Sequence, residues 1–161
     1  MVYRVGLLGL GTVGTGVVQM LQQPQHPLLQ AVEIAAVGVR SLDKPRQVRI
    51  PPERLTTNLE QIVSDPEIDA VIELMGGLEP ARSLILKAID HGKSVITANK
   101  AVIARYGEEI FQAAAQAGVA VLLEAAVGGG IPIVQALQHS LRASRIQAVW
   151  GIINGTTNFI L

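Results

Sequence analysis

Short continuous apolar runs alternate along this chain with longer stretches whose apolar residues recur every three or four positions. The runs at Tyr3–Leu8, Val32–Val39, Asp69–Leu74, Ser94–Ala98, Val119–Leu123 and Ile146–Ile153 predict strands. Runs that are apolar at nearly every position suit strands buried on both faces. Between them, Val13, Val17, Val18 and Leu21 predict a helix that ends before Pro24. Asn58 is a candidate cap for a short helix reaching Val63. Pro80 opens a helix carrying Leu84, Ile85, Ala88 and Ile89, and Gly92 stops it. A further helix over 101–117 places Ile103, Tyr106, Ile110, Ala114 and Ala117 on one face, with Gly118 at its end. Pro132 stands in the first turn of a last helix over 131–143, with Ile133, Leu137 and Leu141 spaced by four. Gln22–Gln30 reads as a loop. Leu42–Asn58, with Pro45, Pro51 and Pro52, reads as a surface loop with one turn of helix.

Strand and helix alternate about five times. Right-handed crossovers then give an α/β fold, a mostly parallel sheet with helices on both faces. The first strand runs into Gly9-Leu10-Gly11-Thr12-Val13-Gly14, a G-x-G-x-x-G spacing between strand and helix. There Gly9 permits the tight turn, Gly11 lets a diphosphate approach the backbone, and Gly14 lets the helix sit close to the strand. The free N–H groups of the first helical turn would hold the anion. The expected architecture is therefore a Rossmann-type doubly wound sheet, with ligands at the carboxyl ends of the strands. The glycine loop, Arg40, Met75-Gly76-Gly77, Asn99-Lys100 and Glu124–Gly130 all follow strands, so one crest should hold them.

Composition agrees and narrows the choices. Of 161 residues, 49% are hydrophobic and 16% charged, with 13 basic and 13 acidic side chains. That balance gives no basic surface for nucleic acid or acidic membrane. Cysteine is absent, which excludes disulfides, thiolate metal sites and cysteine nucleophiles. The apolar N-terminus has one early positive charge, Arg4, and no clean cleavage pattern, so it is not expected to be a signal peptide. No apolar run nears the roughly 20 residues a membrane span needs. A cytoplasmic protein is expected.

Four further positions carry chemistry. Arg40, with Ser41 beside it, stands where an NAD binder would place an acidic residue for the ribose. An arginine there suits a 2′-phosphate and predicts NADP over NAD, unless it is simply a solvated surface charge. Lys100, after Asn99, starts a helix against the dipole, and either an anionic partner offsets this or the helix tolerates it. Glu124 either fixes backbone N–H groups of the glycine-rich loop or helps that loop hold a hard cation, and the residues alone favour the structural role. Asn154-Gly155-Thr156-Thr157-Asn158 suits hydrogen bonding to a small ligand, or else a turn with a helix cap. His26, His91 and His139 are scattered and read as surface residues.

Together these segments resemble homoserine dehydrogenase: GLGTVGTGV at 9–17, VGVRS at 37–41, VIELMGG at 71–77, SVITANKAVIARYGEE at 94–109, LEAAVGGGIPIV at 123–134 and GIINGTTNFIL at 151–161. The resemblance implies interconversion of L-homoserine and L-aspartate 4-semialdehyde with NADP or NAD, on the route to threonine, methionine and isoleucine. It implies that Gly9, Gly11, Thr12, Val13 and Gly14 bind the diphosphate and that Arg40 and Ser41 meet the 2′-phosphate. It implies that Met75 and Gly76 lie towards the nicotinamide, with Asn99 and Lys100 on the cofactor and substrate side. Gly155 and Thr156 would face substrate. Glu124, Val127, Gly129 and Ile131 match positions that hold a monovalent cation such as Na+, mainly through main-chain oxygens. Residues 1–144 would form the dinucleotide-binding domain and 145–161 the start of a substrate domain. The main acid/base lysine is expected beyond Leu161, so this chain alone is expected to bind cofactor with little turnover, while the intact enzyme would be a homodimer or higher. The competing readings are another NAD(P)-linked reductase of amino-acid metabolism and a non-enzymatic nucleotide-sensing module. The NGTTNF segment argues against both.

Overall fold

The computed structural model describes residues 2–151. Its centre is a six-stranded, all-parallel sheet in the order β3-β2-β1-β4-β5-β6. The strands are β1 (Tyr3–Leu8), β2 (Val32–Gly38), β3 (Leu55–Thr56), β4 (Ala70–Glu73), β5 (Ser94–Thr97) and β6 (Val121–Leu122). The helices are α1 (Thr12–Gln22), α2 (Leu59–Ser64), α3 (Ala81–Asp90), α4 (Lys100–Ala117) and the short α5 (Ile133–Gln135), which a π turn over Ala136–Ser140 continues.

The apolar runs divide between two cores with period two. Val5, Leu7, Ala70 and Ile72 face α1, where Val18 is buried against them with Val37. Leu8, Val71 and Val95 face the other way, onto Ile62 and Val63 of α2, Ile85 and Ile89 of α3, and Val102 and Ile110 of α4. Helices thus cover both faces. Asn58 caps α2 by accepting the Gln61 N–H at 3.3 Å. Gly118, in the left-handed region, ends α4. Arg82 ties α3 to α4, pairing with Glu109 and lying 4.9 Å above the Tyr106 ring.

The structure departs from the pattern at three places. The proline-rich stretch supplies an edge strand, β3, after a 3-10 turn at Pro52–Arg54, because Val39 and Thr56 continue the parallel ladder at 2.9 Å. The loop over 22–30 ends in a 3-10 turn at Pro27–Ala31, whose first turn His26 caps through Nδ1. The strand expected at Ile146–Ile153 does not form over 146–151. Those residues join no ladder and are exposed, Trp150 at 92%. Apolar composition alone does not make a strand, whose backbone must also pair with a neighbouring one. Residues 152 and 153 lie outside the described residues.

Lys93 precedes β5 and is only 3% exposed. Its ammonium donates to the Ile68 carbonyl at 2.7 Å and to the Asp65 carbonyl, closing the turn that enters β4. Burial lowers its pKa below the ordinary lysine value, against the opposing pull of Asp65 and Asp69. Lys93→Met removes the ammonium from the Ile68 carbonyl and from the Asp65 carbonyl, which keeps only the Ile68 N–H at 3.1 Å, and is expected to lower the unfolding free energy by about 1–3 kcal/mol. Between the lowered pKa and the ordinary one, the unfolded chain holds more protons than the folded chain. Stability relative to Lys93→Met therefore rises with pH across that window. Denaturation of both proteins at several alkaline pH values checks this, and a difference independent of pH contradicts it.

Candidate functional site

Because all six strands run the same way, every loop leaving them emerges on one edge of the sheet. β1 leaves through Gly9, which has φ +103°. A Cβ at Gly9 would lie 3.0 Å from the Leu74 carbonyl oxygen and 3.3 Å from Met75 Cγ, so this turn packs directly against the exit of β4. A Cβ at Gly14 would stand 2.3 Å from the Gly9 carbonyl oxygen, well inside contact distance. Only glycine lets α1 begin so close to the strand. Gly11 is the N-cap of α1 and offers no side-chain acceptor, and nothing lies within 4 Å of where its Cβ would be. Thr12 and Val13, whose first-turn N–H groups stand at the positive end of this 11-residue helix, are exposed, whereas Gly14 is buried.

Arg40 and Ser41 follow β2 by two and three residues, both exposed. Their loop is held from beneath. The Arg46 guanidinium donates to the carbonyls of Leu42 (2.8 Å), Lys44 (2.9 Å) and Ser41. The Gln22 amide of α1 donates to Arg49 at 2.7 Å.

On the opposite side of β1, the loops after β4 and β5 are joined through buried polar groups. Glu73, the last residue of β4, is fully buried. Its carboxylate accepts the Met75 N–H at 2.8 Å and the Thr97 hydroxyl at 2.6 Å. Thr97 accepts the Asn99 N–H at 3.0 Å. Asn99 caps α4 by accepting the Val102 N–H at 3.2 Å, and its amide nitrogen donates to the Gly77 carbonyl at 2.8 Å. Lys100, the first residue of α4, is exposed. Glu79, where that loop meets α3, is held below the ordinary carboxylate range chiefly by the Ser83 hydroxyl, then by the Ser83 N–H and Arg82.

β6 leaves into a 3-10 turn, Glu124–Ala126. Gly128 and Gly129, both with positive φ, shape the bend that follows. The Glu124 carboxylate accepts the Val134 N–H at 3.0 Å and the Gln135 N–H at 2.8 Å, so it caps α5. Its carboxylate thus serves the start of α5 rather than the N–H groups of the glycine-rich loop. The main-chain oxygens of Glu124 and Ile131 accept the N–H groups of Val127 and Ile133, each keeping a second lone pair.

The crest thus gathers Gly9, Gly11, Thr12, Val13, Gly14, Arg40, Ser41, Met75, Gly76, Asn99, Lys100 and the 124–131 turn. Gly155 and Thr156 lie outside the described residues. Sequence reasoning missed Glu73 and Thr97. The signal was a carboxylate ending one apolar run and a hydroxyl near the end of the next, and only register makes them partners. The three histidines are exposed, as expected. Cavities of about 180 and 190 Å³ lie elsewhere, lined by residues such as Leu21, Ile50 and Arg54, and Ala36, Gln61 and Asp65. Among the described residues no helix is long and apolar enough to cross a membrane.

Comparison with known proteins agrees with this geometry. The family model for the NAD binding domain of homoserine dehydrogenase matches residues 9–124, and a second homoserine dehydrogenase model matches 132–161. A homoserine dehydrogenase from Synechocystis is 69% identical across the whole chain, which spans 38% of that relative's length. The crystal structure of a homoserine dehydrogenase from Thiobacillus denitrificans superposes with a TM-score of 0.87 at 50% identity, covering 99% of this chain and 38% of that one. A hyperthermophilic archaeal homoserine dehydrogenase in complex with NADPH shares the fold, with a TM-score of 0.69 at 20% identity over 85% of this chain and 48% of that one. With its matched family model spanning the glycine turn and strands β2 to β6, the chain belongs to the homoserine dehydrogenase family.

Proposed function

We propose that this chain binds NADP(H) along the crest and forms the cofactor-binding part of a homoserine dehydrogenase, interconverting L-homoserine and L-aspartate 4-semialdehyde in threonine, methionine and isoleucine biosynthesis. One observation carries the cofactor assignment: the uncapped first turn of α1 opens beside a glycine turn at the point where strand order reverses, between β1 and β4. That is where a doubly wound sheet receives a dinucleotide. The N–H groups of Thr12, Val13 and Gly14 hold the diphosphate, and Gly9 and Gly11 leave it room. Arg40 and Ser41 take the 2′-phosphate on the β2 side. The nicotinamide half then falls on the β4–β5 side, along Met75 and Gly76, with Lys100 on the cofactor and substrate side. Asn99 contributes by anchoring the start of α4. The archaeal relative's complex with NADPH supports the choice of cofactor.

The bound nicotinamide supplies hydride chemistry. This chain's part is to bind, orient and surround it. Gly155 and Thr156 are proposed to hold substrate. The turn with Glu124, Val127, Gly129 and Ile131 suits a monovalent cation such as Na+. Because the Glu124 carboxylate already serves α5, main-chain oxygens are the ligands in this reading. Residues 1–144 are proposed as the dinucleotide-binding domain and 145–161 as the start of the substrate domain. By family resemblance the intact enzyme is cytoplasmic and a homodimer or higher.

Two sets of variants test the assignment. Gly11→Ala places a methyl in the open space assigned to the diphosphate. The fold should persist while NADPH affinity, read by the cofactor's fluorescence, falls at least about tenfold. Gly14→Ala should lose affinity and stability together, since its Cβ meets backbone at 2.3 Å. Unchanged NADPH binding in Gly11→Ala refutes the diphosphate site. Arg40→Ala should weaken NADPH by about 10- to 100-fold and leave NADH nearly unchanged, as expected for removing a charge-assisted hydrogen bond. Equal losses for both nucleotides refute the 2′-phosphate assignment.

A further inference from the structure

Glu73 is a carboxylate at 0% exposure, and among the described residues no cation lies within ion-pair distance of it. Burying such a group is expensive unless its oxygens are fully used. Both are used, and on two different loops. One oxygen takes the Met75 N–H from the exit of β4, and the other takes the Thr97 hydroxyl from the end of β5. Glu73 and Thr97 are register partners, so the link crosses the ladder at its last rung. Thr97, having donated its proton, presents a lone pair to the Asn99 N–H. Asn99 then returns to the first loop by donating to the Gly77 carbonyl. The result is a closed ring of hydrogen bonds from the loop after β4, through Glu73, Thr97 and Asn99, back to the same loop.

The residues this ring fixes are not core residues. They are Met75, whose side chain lies beside Gly9, and the start of α4, where Lys100 follows Asn99. A glutamine amide here would keep an acceptor on one side only and turn an NH2 donor towards the other. An acceptor pair on one rigid, buried carboxylate holds both loops in one relative position. We propose that Glu73 is a positioning residue that locks the loops after β4 and β5 together, so that Met75 and Lys100 form one preset wall for the nicotinamide half of the cofactor. This rests on the cofactor reading above, because the β4–β5 side is the nicotinamide half only if Arg40 marks the adenosine half.

The test separates a wall for the nicotinamide from general support of the fold. Wild type, Glu73→Gln, Thr97→Val and Thr97→Ser are titrated with NADPH and with 2′-phospho-ADP-ribose, the same nucleotide without its nicotinamide ring. Glu73→Gln replaces one acceptor by a donor, and Thr97→Val removes the link to both Glu73 and Asn99. Each is expected to weaken NADPH by about tenfold or more and to leave 2′-phospho-ADP-ribose within about threefold. Thr97→Ser keeps the hydroxyl and is expected to bind NADPH like wild type. Should Glu73→Gln not fold, the Thr97→Val and Thr97→Ser pair decides alone. Unchanged NADPH affinity, or equal loss of both ligands, overturns the proposal and leaves the cofactor reading standing. A wild-type chain that binds neither ligand overturns the cofactor reading and this proposal with it.

Discussion

Six strands pointing one way constrain everything else in this chain. A parallel strand cannot return by a hairpin, so each crossover carries the chain back across a face of the sheet. Every exit then opens on the same edge. Residues as far apart in sequence as Gly9, Arg40, Lys100 and Glu124 come to lie along one edge of the sheet without any contact having to recruit them. The helices that cover the faces follow from the same constraint, as do the strands that are apolar on both sides. The glycine turn refines the arrangement locally. With Gly14 against the Gly9 carbonyl, α1 starts almost at the strand end, and its free N–H groups face the reversal in strand order.

β4 lies inside this sheet, and both its ends are closed by a buried ionisable side chain of fitting character. The turn entering the strand presents carbonyls, and Lys93, a pure donor, collects those of Asp65 and Ile68. The loop leaving it presents the Met75 N–H, and Glu73 accepts that group together with the Thr97 hydroxyl. Donor at the entrance and acceptor at the exit follow from which backbone groups the ladder leaves unpaired. The consequences differ. Lys93 secures a turn remote from the crest, whereas Glu73 acts on the edge that carries the site.

Much of this was legible in the sequence. The apolar runs named five of the six strands because burial on both faces leaves a one-dimensional signature. The caps at Asn58 and Gly118 and the glycine spacing were equally local. What escaped depended on partners. β3 is two residues long in a proline-rich stretch, too short for any periodicity, and exists because β2 offers it an edge. The segment after Arg145 is as apolar as a strand and forms none over 146–151, where it pairs with no neighbouring strand. Glu73 looked like the polar end of VIEL until register set Thr97 beside it. Glu124 was recognised as important, but only coordinates could show its oxygens on Val134 and Gln135.

The same distinction bears on cofactor choice. Arg40 stands out in the sequence because its position after β2 has a known chemical alternative, an acidic residue. Its placement is not its own doing. The backbone next to it is stapled by Arg46, which gathers three carbonyls of the 41–44 loop, and the other end of the segment is tied to α1 through Gln22 and Arg49. None of these bonds touches the Glu73–Thr97–Asn99 ring, which lies across β1. The loop after β2 and the loops after β4 and β5 are therefore set by separate polar networks. In the proposed cofactor reading, selectivity for the 2′-phosphate and orientation of the nicotinamide can then change independently, whereas a lesion in the turn affects both.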